Sequence, residues 1–378
     1  MSAPPIPSPA PPPISATAGS SLPRNSKSYW SLALLAVITL GGLAAVTLFL
    51  VASTLWSPFH SGHASGRLGA RDMAEIILED NGSRDKVAVL DIRGVISGDA
   101  TGFGQAGLVG EVRDQLQRMA DDEAVKAVIL RVDSPGGEVL ASDEIYTALR
   151  QFQTSNDVPV VACMGSLAAS GGYYVSAPCR WIVAHPLTLT GSIGVIFHGY
   201  NYRGLMDKVG VRPEVVKSGK LKDMFSGELR AEDESPEEKI ILKDLVAESF
   251  NRFKQVIREG RSWAAQQNAS EQVTGGRSLS ERWEEYADGR ILSGNQALSL
   301  GLVDELGDFE TAYLRACSLA GVKGANLVAY QMPPRLGDFL QLLGSSRSER
   351  ISVNLEGLNP VTRLPQGKLY FLSPLHLR

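Results

Sequence analysis

Apolar residues along this chain fall into contrasting regimes. Between Tyr29 and Trp56 they run without a charged side chain, rich in Leu, Ala, Val and Ile. About 25 such residues suffice to cross a hydrocarbon core of roughly 30 Å, so one transmembrane helix is predicted over 29–56. Tyr29, Trp30 and Trp56 stand at its ends, where amphipathic rings favour the interface. A cleaved secretory signal would instead carry an apolar stretch of about 7–15 residues closer to the amino terminus.

From Lys86 onward short apolar runs alternate with longer amphipathic ones. VAVLDI, ending at Ile92, AVILRV over Ala127–Val132 and VPVVAC over Val158–Cys163 read as strands. They are continuous Val/Ile-rich runs, as strands covered on both faces require, which predicts an α/β domain with a mostly parallel sheet. Leu108–Met119 reads as a helix, and Leu140–Phe152 places Ile145, Leu149 and Phe152 at helical spacing as a crossover. Pro236 opens a helical pattern to about Glu259, and Ser293 is a candidate N-cap for a helix that Gly301 would stop.

Composition sets the remaining boundaries. Residues 1–28, with PPIPSPAPPP, cannot bury enough apolar surface to fold and read as a disordered tail. Residues 57–85 read as a linker, 86–330 as the globular domain, and 331–378, where the pattern weakens, as a peripheral extension. Arg24 and Lys27 precede the span, while Arg67 and Arg71 follow it at greater distance. The nearer charges favour a cytoplasmic amino terminus and place the domain on the outer, periplasmic or extracellular, face. A net charge of -4 of mixed sign offers no footprint for nucleic acid. Three scattered cysteines make a disulfide scaffold a poor expectation.

The candidate chemistry begins at GSLAASGGYY, Gly165–Tyr174, which follows a buried strand and leads into a helix. Ser170 then lies at a helix start, among small residues that admit another backbone and at an end that favours developing negative charge. The same letters also describe a small-residue packing contact. Histidine bases are scarce: His60 and His63 fall in the linker, His376 in the extension, and His185 and His198 read as loop or core residues. A lysine can serve instead if burial favours its neutral form. Lys222 in KSGKLKDMFSG is flanked by Leu221, Met224 and Phe225, although a surface loop would look alike. SPGG, Ser134–Gly137, ends a strand with glycines able to turn N–H groups toward an oxyanion, or simply to make a Pro-Gly turn.

Taken in order, RVDSPGGEV, MGSLAASGGYYVS, TLTGSIGVI and KSGKLKDMFS resemble the signal peptide peptidase A family of Ser/Lys proteases, over roughly Lys86–Ala320. The likeness is to the short, single-domain form. It implies a crotonase/ClpP-like fold, Ser170 as nucleophile, Lys222 as general base and Ser192 as the serine that orients the lysine. It also implies oxyanion donors at Gly137 and Gly171, and rings in which catalytic groups of neighbouring protomers meet. The implied substrates are remnant signal peptides or similar extended apolar peptides near the membrane. Ser226-Gly227 stands where members often have Ser-Pro.

Three rival readings have weaker support. GFGQAG, Gly102–Gly107, matches a dinucleotide fingerprint, but RGVISGDAT separates it from the preceding strand and no acidic residue follows at the usual distance. An acyl-CoA enzyme shares the implied fold, without a need for a membrane. A scaffold without activity would have no use for Ser170 and Lys222. With neither HExxH nor a GxxxxGK[ST] loop, no metal or cofactor is expected.

Overall fold

The branched, apolar runs form strands whose two faces enter two different cores, and the helices follow from which face they must cover. In chain order the elements are β1 (Ala74–Glu79), β2 (Lys86–Ile96), α1 (Leu108–Ala120), β3 (Val125–Glu138), α2 (Val139–Asn156), β4 (Val160–Ala169) and α3 (Gly171–Ser176). There follow β5 (Trp181–Ala184), β6 (Leu189–Gly191), β7 (Ile196–Phe197), α4 (Arg203–Val209) and α5 (Pro236–Ser270). The series ends with β8 (Ile291–Ser293), α6 (Gly294–Ser299), β9 (Glu305–Leu306), α7 (Phe309–Leu319), β10 (Asn326–Gln331) and β11 (Leu369–Leu372).

This computed structural model describes residues 73–98, 107–230, 232–233, 235–332 and 368–373. The predicted tail, the predicted span over 29–56, the linker as far as residue 72 and GFGQAG up to its last glycine lie outside the described residues. Among the described residues no helix is long and apolar enough to cross a membrane.

The main path of the sheet runs β1-β10-β2-β3-β4-β5-β9, and it is parallel from β10 to β9. Period-two alternation divides the strands: Ala88, Leu90, Val128, Leu130, Val160 and Ala162 face the larger core, while Val87, Val89, Ala127, Ile129, Val161 and Cys163 face the smaller. Helices α1, α2, α3 and α5 contribute to the first core and α7 to the second. That two-sided burial is why the strand sequences are continuously apolar.

The sheet reaches past both ends of the predicted 86–330 domain. Strand β1 lies inside the stretch read as linker and pairs antiparallel with β10. All six of its residues are exposed, so it carries little of the burial signal by which a strand is read from sequence. Strand β11 lies in the predicted extension, yet Tyr370, Phe371 and Leu372 are buried and pair with β3 and β7.

Helix α5 also exceeds its predicted end. Gly260 does not break it, because that glycine is a contact point: a Cβ there would stand 2.3 Å from Ala177 O. The helix crosses the end of α3 at this position and continues to Ser270. Its N-cap, Ser235, accepts from Glu238 N at 3.2 Å, with Pro236 at the first helical position.

The same crossing carries a buried ion pair. Arg261 donates to Asp304 and to Cys179 O (3.2 Å), and Asp304 also accepts from Ile182 N at 2.8 Å and Arg277 N at 3.0 Å. Both charged side chains are 1% exposed. Removing one partner leaves the other charge buried without compensation, so Asp304→Ala is expected to destabilise the fold by about 3–5 kcal/mol. Urea unfolding followed by circular dichroism checks this, with a much smaller loss expected from Asp288→Ala, whose pair with Arg290 is half-exposed.

Candidate active site

Strand β3 does not stop where its apolar run does. It continues through Ser134–Glu138, and its register against β4 shifts between Val132 and Ser134, opposite Met164 and Ala168. The shift lets β4 run on to Ala169 and deliver Ser170 to the start of α3. Ser170 has φ 55° and ψ −115°, a left-handed conformation uncommon for a residue with a side chain. Its N–H donates to Gly191 O at 2.8 Å, and its own carbonyl accepts the first helical bond from Tyr174 N.

The SPGG turn packs directly on this helix start. Ser134 Oγ donates to Gly94 O at 2.6 Å and accepts from Gly136 N at 3.0 Å, which fastens the turn to β2. Gly136 has φ +103°, and a Cβ on it would lie 2.0 Å from Phe371 O and 2.6 Å from Gly171 N. A Cβ on Gly171 would lie 3.0 Å from Gly137 N, and one on Gly172 2.8 Å from Ser134 O. Only a run of glycines allows two backbones so close, and the approach gathers the amides of Gly137 and Gly171 beside Ser170.

Ser170 is fully buried and its Oγ has no hydrogen-bond partner among the described residues. Leaving a buried hydroxyl unpaired costs about 1–3 kcal/mol, a cost that buried structural serines avoid. Ser142 and Ser176, for example, donate to Glu138 O and Gly172 O.

Ser192 follows Gly191, whose carbonyl holds Ser170 N, so TGSIG adjoins the helix start. Ser192 also has a positive φ of 48°, and its N–H donates to Arg290 O at 2.7 Å. Lys222 differs from its expected setting: it is exposed, and no hydrogen bond joins it to Ser170. It lines a cleft with Phe197, Met224, Phe225, Leu242 and Leu245. Lys217 is bound to Asp223 (2.6 Å) and Lys220 to Glu237 (2.9 Å), whereas Lys222 has no ion pair among the described residues.

Of the two domain histidines, His185 organises a turn by accepting from Leu187 N through Nδ1. His198 lines the Lys222 cleft, edge-on to Tyr200. Residue-by-residue reading missed Tyr174 and Asp143. The Tyr174 ring packs on Phe253 at 4.9 Å and its hydroxyl donates to Asp143 at 2.5 Å. Burial, with help from that carboxylate, pushes the Tyr174 hydroxyl well above the usual tyrosine range. The second tyrosine of GGYY was the available signal.

Comparison with known proteins assigns the chain to a family. Residues 153–323 match peptidase family S49. "Putative protease slr0021" of Synechocystis sp. is 39% identical over 240 residues, which are 64% of this chain and 76% of that protein. The chain belongs to peptidase family S49. It is thus a serine peptidase of the signal peptide peptidase A family. "Putative signal peptide peptidase SppA" of Enterococcus faecium is 38% identical over 65% of this chain and 66% of its own length. "Serine protease SPPA, chloroplastic" of Arabidopsis thaliana is 31% identical over 70% of this chain, which spans only 37% of that longer protein.

For this S49 chain, the glycine contact makes a sharp expectation. Gly136→Ala would be strained in φ and would collide with two backbones, costing about 1–3 kcal/mol. The variant is expected to retain its circular dichroism spectrum, unfold at lower urea concentration and lose peptide hydrolysis.

Proposed function

We propose that this chain is a membrane-anchored endopeptidase in which Ser170 attacks the substrate carbonyl and Lys222 is the general base. The observation that carries this reading is the buried, unpartnered Ser170 Oγ at the start of α3, with the amides of Gly137 and Gly171 gathered beside it. Neutral Lys222 takes the Ser170 proton, and the alkoxide adds to the carbonyl. The two amides hold the tetrahedral oxyanion, and an acyl-enzyme forms that water hydrolyses. Ser192 positions the lysine. The surrounding architecture is read as the crotonase/ClpP-like fold.

The exposure of Lys222 supports a dyad completed between copies. In a ring, the Lys222 loop of one copy would close over Ser170 of the next and lose water there, which favours the neutral amine. Helix α4 and the loop that leads from it to Lys222 are suited to such a contact, since Leu205 and Val209 on the helix and Val211, Val215 and Val216 on the loop are exposed apolar residues. The substrates are extended apolar peptides such as remnant signal peptides, reached by a domain held at the outer face of the membrane by residues 29–56.

The test uses the full chain in detergent with a fluorogenic peptide of small and apolar residues. Ser170→Ala and Lys222→Ala each lose nearly all turnover, since a general base alone contributes about 10² to 10⁴. Mixing the two inactive variants restores a fraction of the activity if each site joins two copies. Equal activity in wild type and both variants contradicts the dyad, and a mixture without activity contradicts its sharing between copies.

A further inference from the structure

Two lysines of KSGKLKDMFSG have no part in the mechanism proposed above, yet one of them holds the carboxylate next to the base. Lys217 Nζ donates to Asp223 Oδ1 at 2.6 Å, to Asp223 Oδ2 at 2.8 Å and to Lys220 O at 3.1 Å. An ammonium group has three hydrogens to give, and here all are used within the loop. The backbone winds between these contacts in tight turns, from Lys222 N to Gly219 O (3.2 Å), Met224 N to Leu221 O (3.1 Å) and Ser226 N to Asp223 O (3.0 Å). Phe225, at φ 65°, packs on the Phe197 ring at 5.3 Å. Asp223, the residue after Lys222, thus has its carboxylate turned to Lys217, with 11% of the side chain exposed.

Charge decides why this matters. A general base must reach its neutral form, and a carboxylate nearby favours the ammonium instead. Bound to Lys217, Asp223 is half of a neutral pair, and the hydrogen bonds from that lysine hold its carboxyl below the usual aspartate range. The need grows if the loop closes over a neighbouring copy, because Coulomb interactions strengthen as water leaves. An unpaired Asp223 covered along with Lys222 would keep the lysine charged at the moment it must accept a proton.

Most other carboxylates that line the Lys222 cleft are neutralised in the same way. Glu138 meets Lys368 at 2.7 Å, and Asp143 meets Arg252 at 3.0 Å while accepting from Tyr174. Glu248 of α5 has no ion pair among the described residues, but it is exposed and water screens it. His198 and Tyr200 are the remaining titratable side chains of the cleft. Lys220 pairs with Glu237 at the start of α5, where the two side chains are 73% and 55% exposed, so that pair contributes little. Of the two pairs made by this loop, Lys217–Asp223 is the more enclosed.

We propose that Lys217 is a positioning residue of the peptidase site, in a role that rests on the Ser170/Lys222 mechanism: it captures the Asp223 carboxylate, so that Lys222 keeps no acidic partner and can act as the base. Freed from Lys217, Asp223 favours the protonated lysine, and a larger share of Lys222 stays charged at any given pH. Activity then appears only at higher pH. The acid limb of kcat/KM moves upward, while the plateau beyond it is kept.

The test measures kcat/KM against pH for the full chain in detergent, with an uncharged fluorogenic peptide of small and apolar residues, a profile that reports groups of the free enzyme. Lys217→Met is expected to raise the midpoint of the acid limb by about one unit, the low end of the effect of a neighbouring opposite charge, and so to lower kcat/KM about tenfold on that limb. Lys217→Arg, which keeps the cation, should hold the wild-type midpoint. Lys217→Met combined with Asp223→Asn should bring the midpoint back, since no carboxylate is left to capture. A Lys217→Met midpoint equal to that of wild type overturns this inference. So does a loss that is uniform across pH and persists in the double variant, which would make Lys217 a support for the shape of the loop alone. Lys222→Ala with the activity and profile of wild type overturns instead the dyad on which the inference rests.

Discussion

The close contact between the SPGG turn and the start of α3 is the constraint on which the site depends. Gly136, Gly171 and Gly172 bring two backbones nearer than any side chain permits, and Ser170 is held in a left-handed conformation at their junction. Strain of this kind persists only where the surroundings impose it. Here they do so from several directions: Ser134 fastens the turn to β2, Gly191 holds Ser170 N, and Tyr173 and Tyr174 root the short helix in the larger core. Helix α5 crosses the far end of α3 at Gly260, and the Arg261–Asp304 pair lies one residue further on. The large sheet and its two cores act as the frame that holds this one contact.

The parts of the proposed site differ in how deeply they are buried. Ser170, the two glycine amides and the packed rings of Tyr174 and Phe253 lie together in the buried interior. Lys222 lies on an exposed loop across the cleft, without a charged partner. A buried nucleophile beside an open lysine is the arrangement expected when assembly, rather than folding, completes the proposed dyad. Peptidase activity would then depend on oligomerisation.

Much of the frame was legible in the sequence because burial on both faces writes continuous Val/Ile runs: β2 and β3 contain their predicted stretches, and β4 begins at Val160, two residues into its own. Ser170 was legible as a helix start from its small neighbours, and Ser293 as an N-cap, with its reciprocal bonds to Gln296. Strand β4 runs six residues beyond the predicted end at Cys163, since a register shift against β3 is a property of two strands and leaves no local signature. The adjacency of Gly191, Gly136 and Ser170 is long-range, so separate motifs pointed to it only through a family resemblance. Strands β1 and β11 escaped for opposite reasons. The first is wholly exposed, and the second is four residues long between stretches without periodicity, although it is almost wholly buried.

The most direct test of the central claim is to trap the acyl-enzyme. Full-length protein would be mixed with an activated ester of an apolar peptide ending in phenylalanine, quenched within the first turnover, and mapped by mass spectrometry. The account predicts one acyl group, carried on Ser170 and absent from Ser170→Ala. An acyl group on any other residue, or turnover of the ester with no covalent intermediate under conditions that trap one in an acyl-forming control, would contradict it.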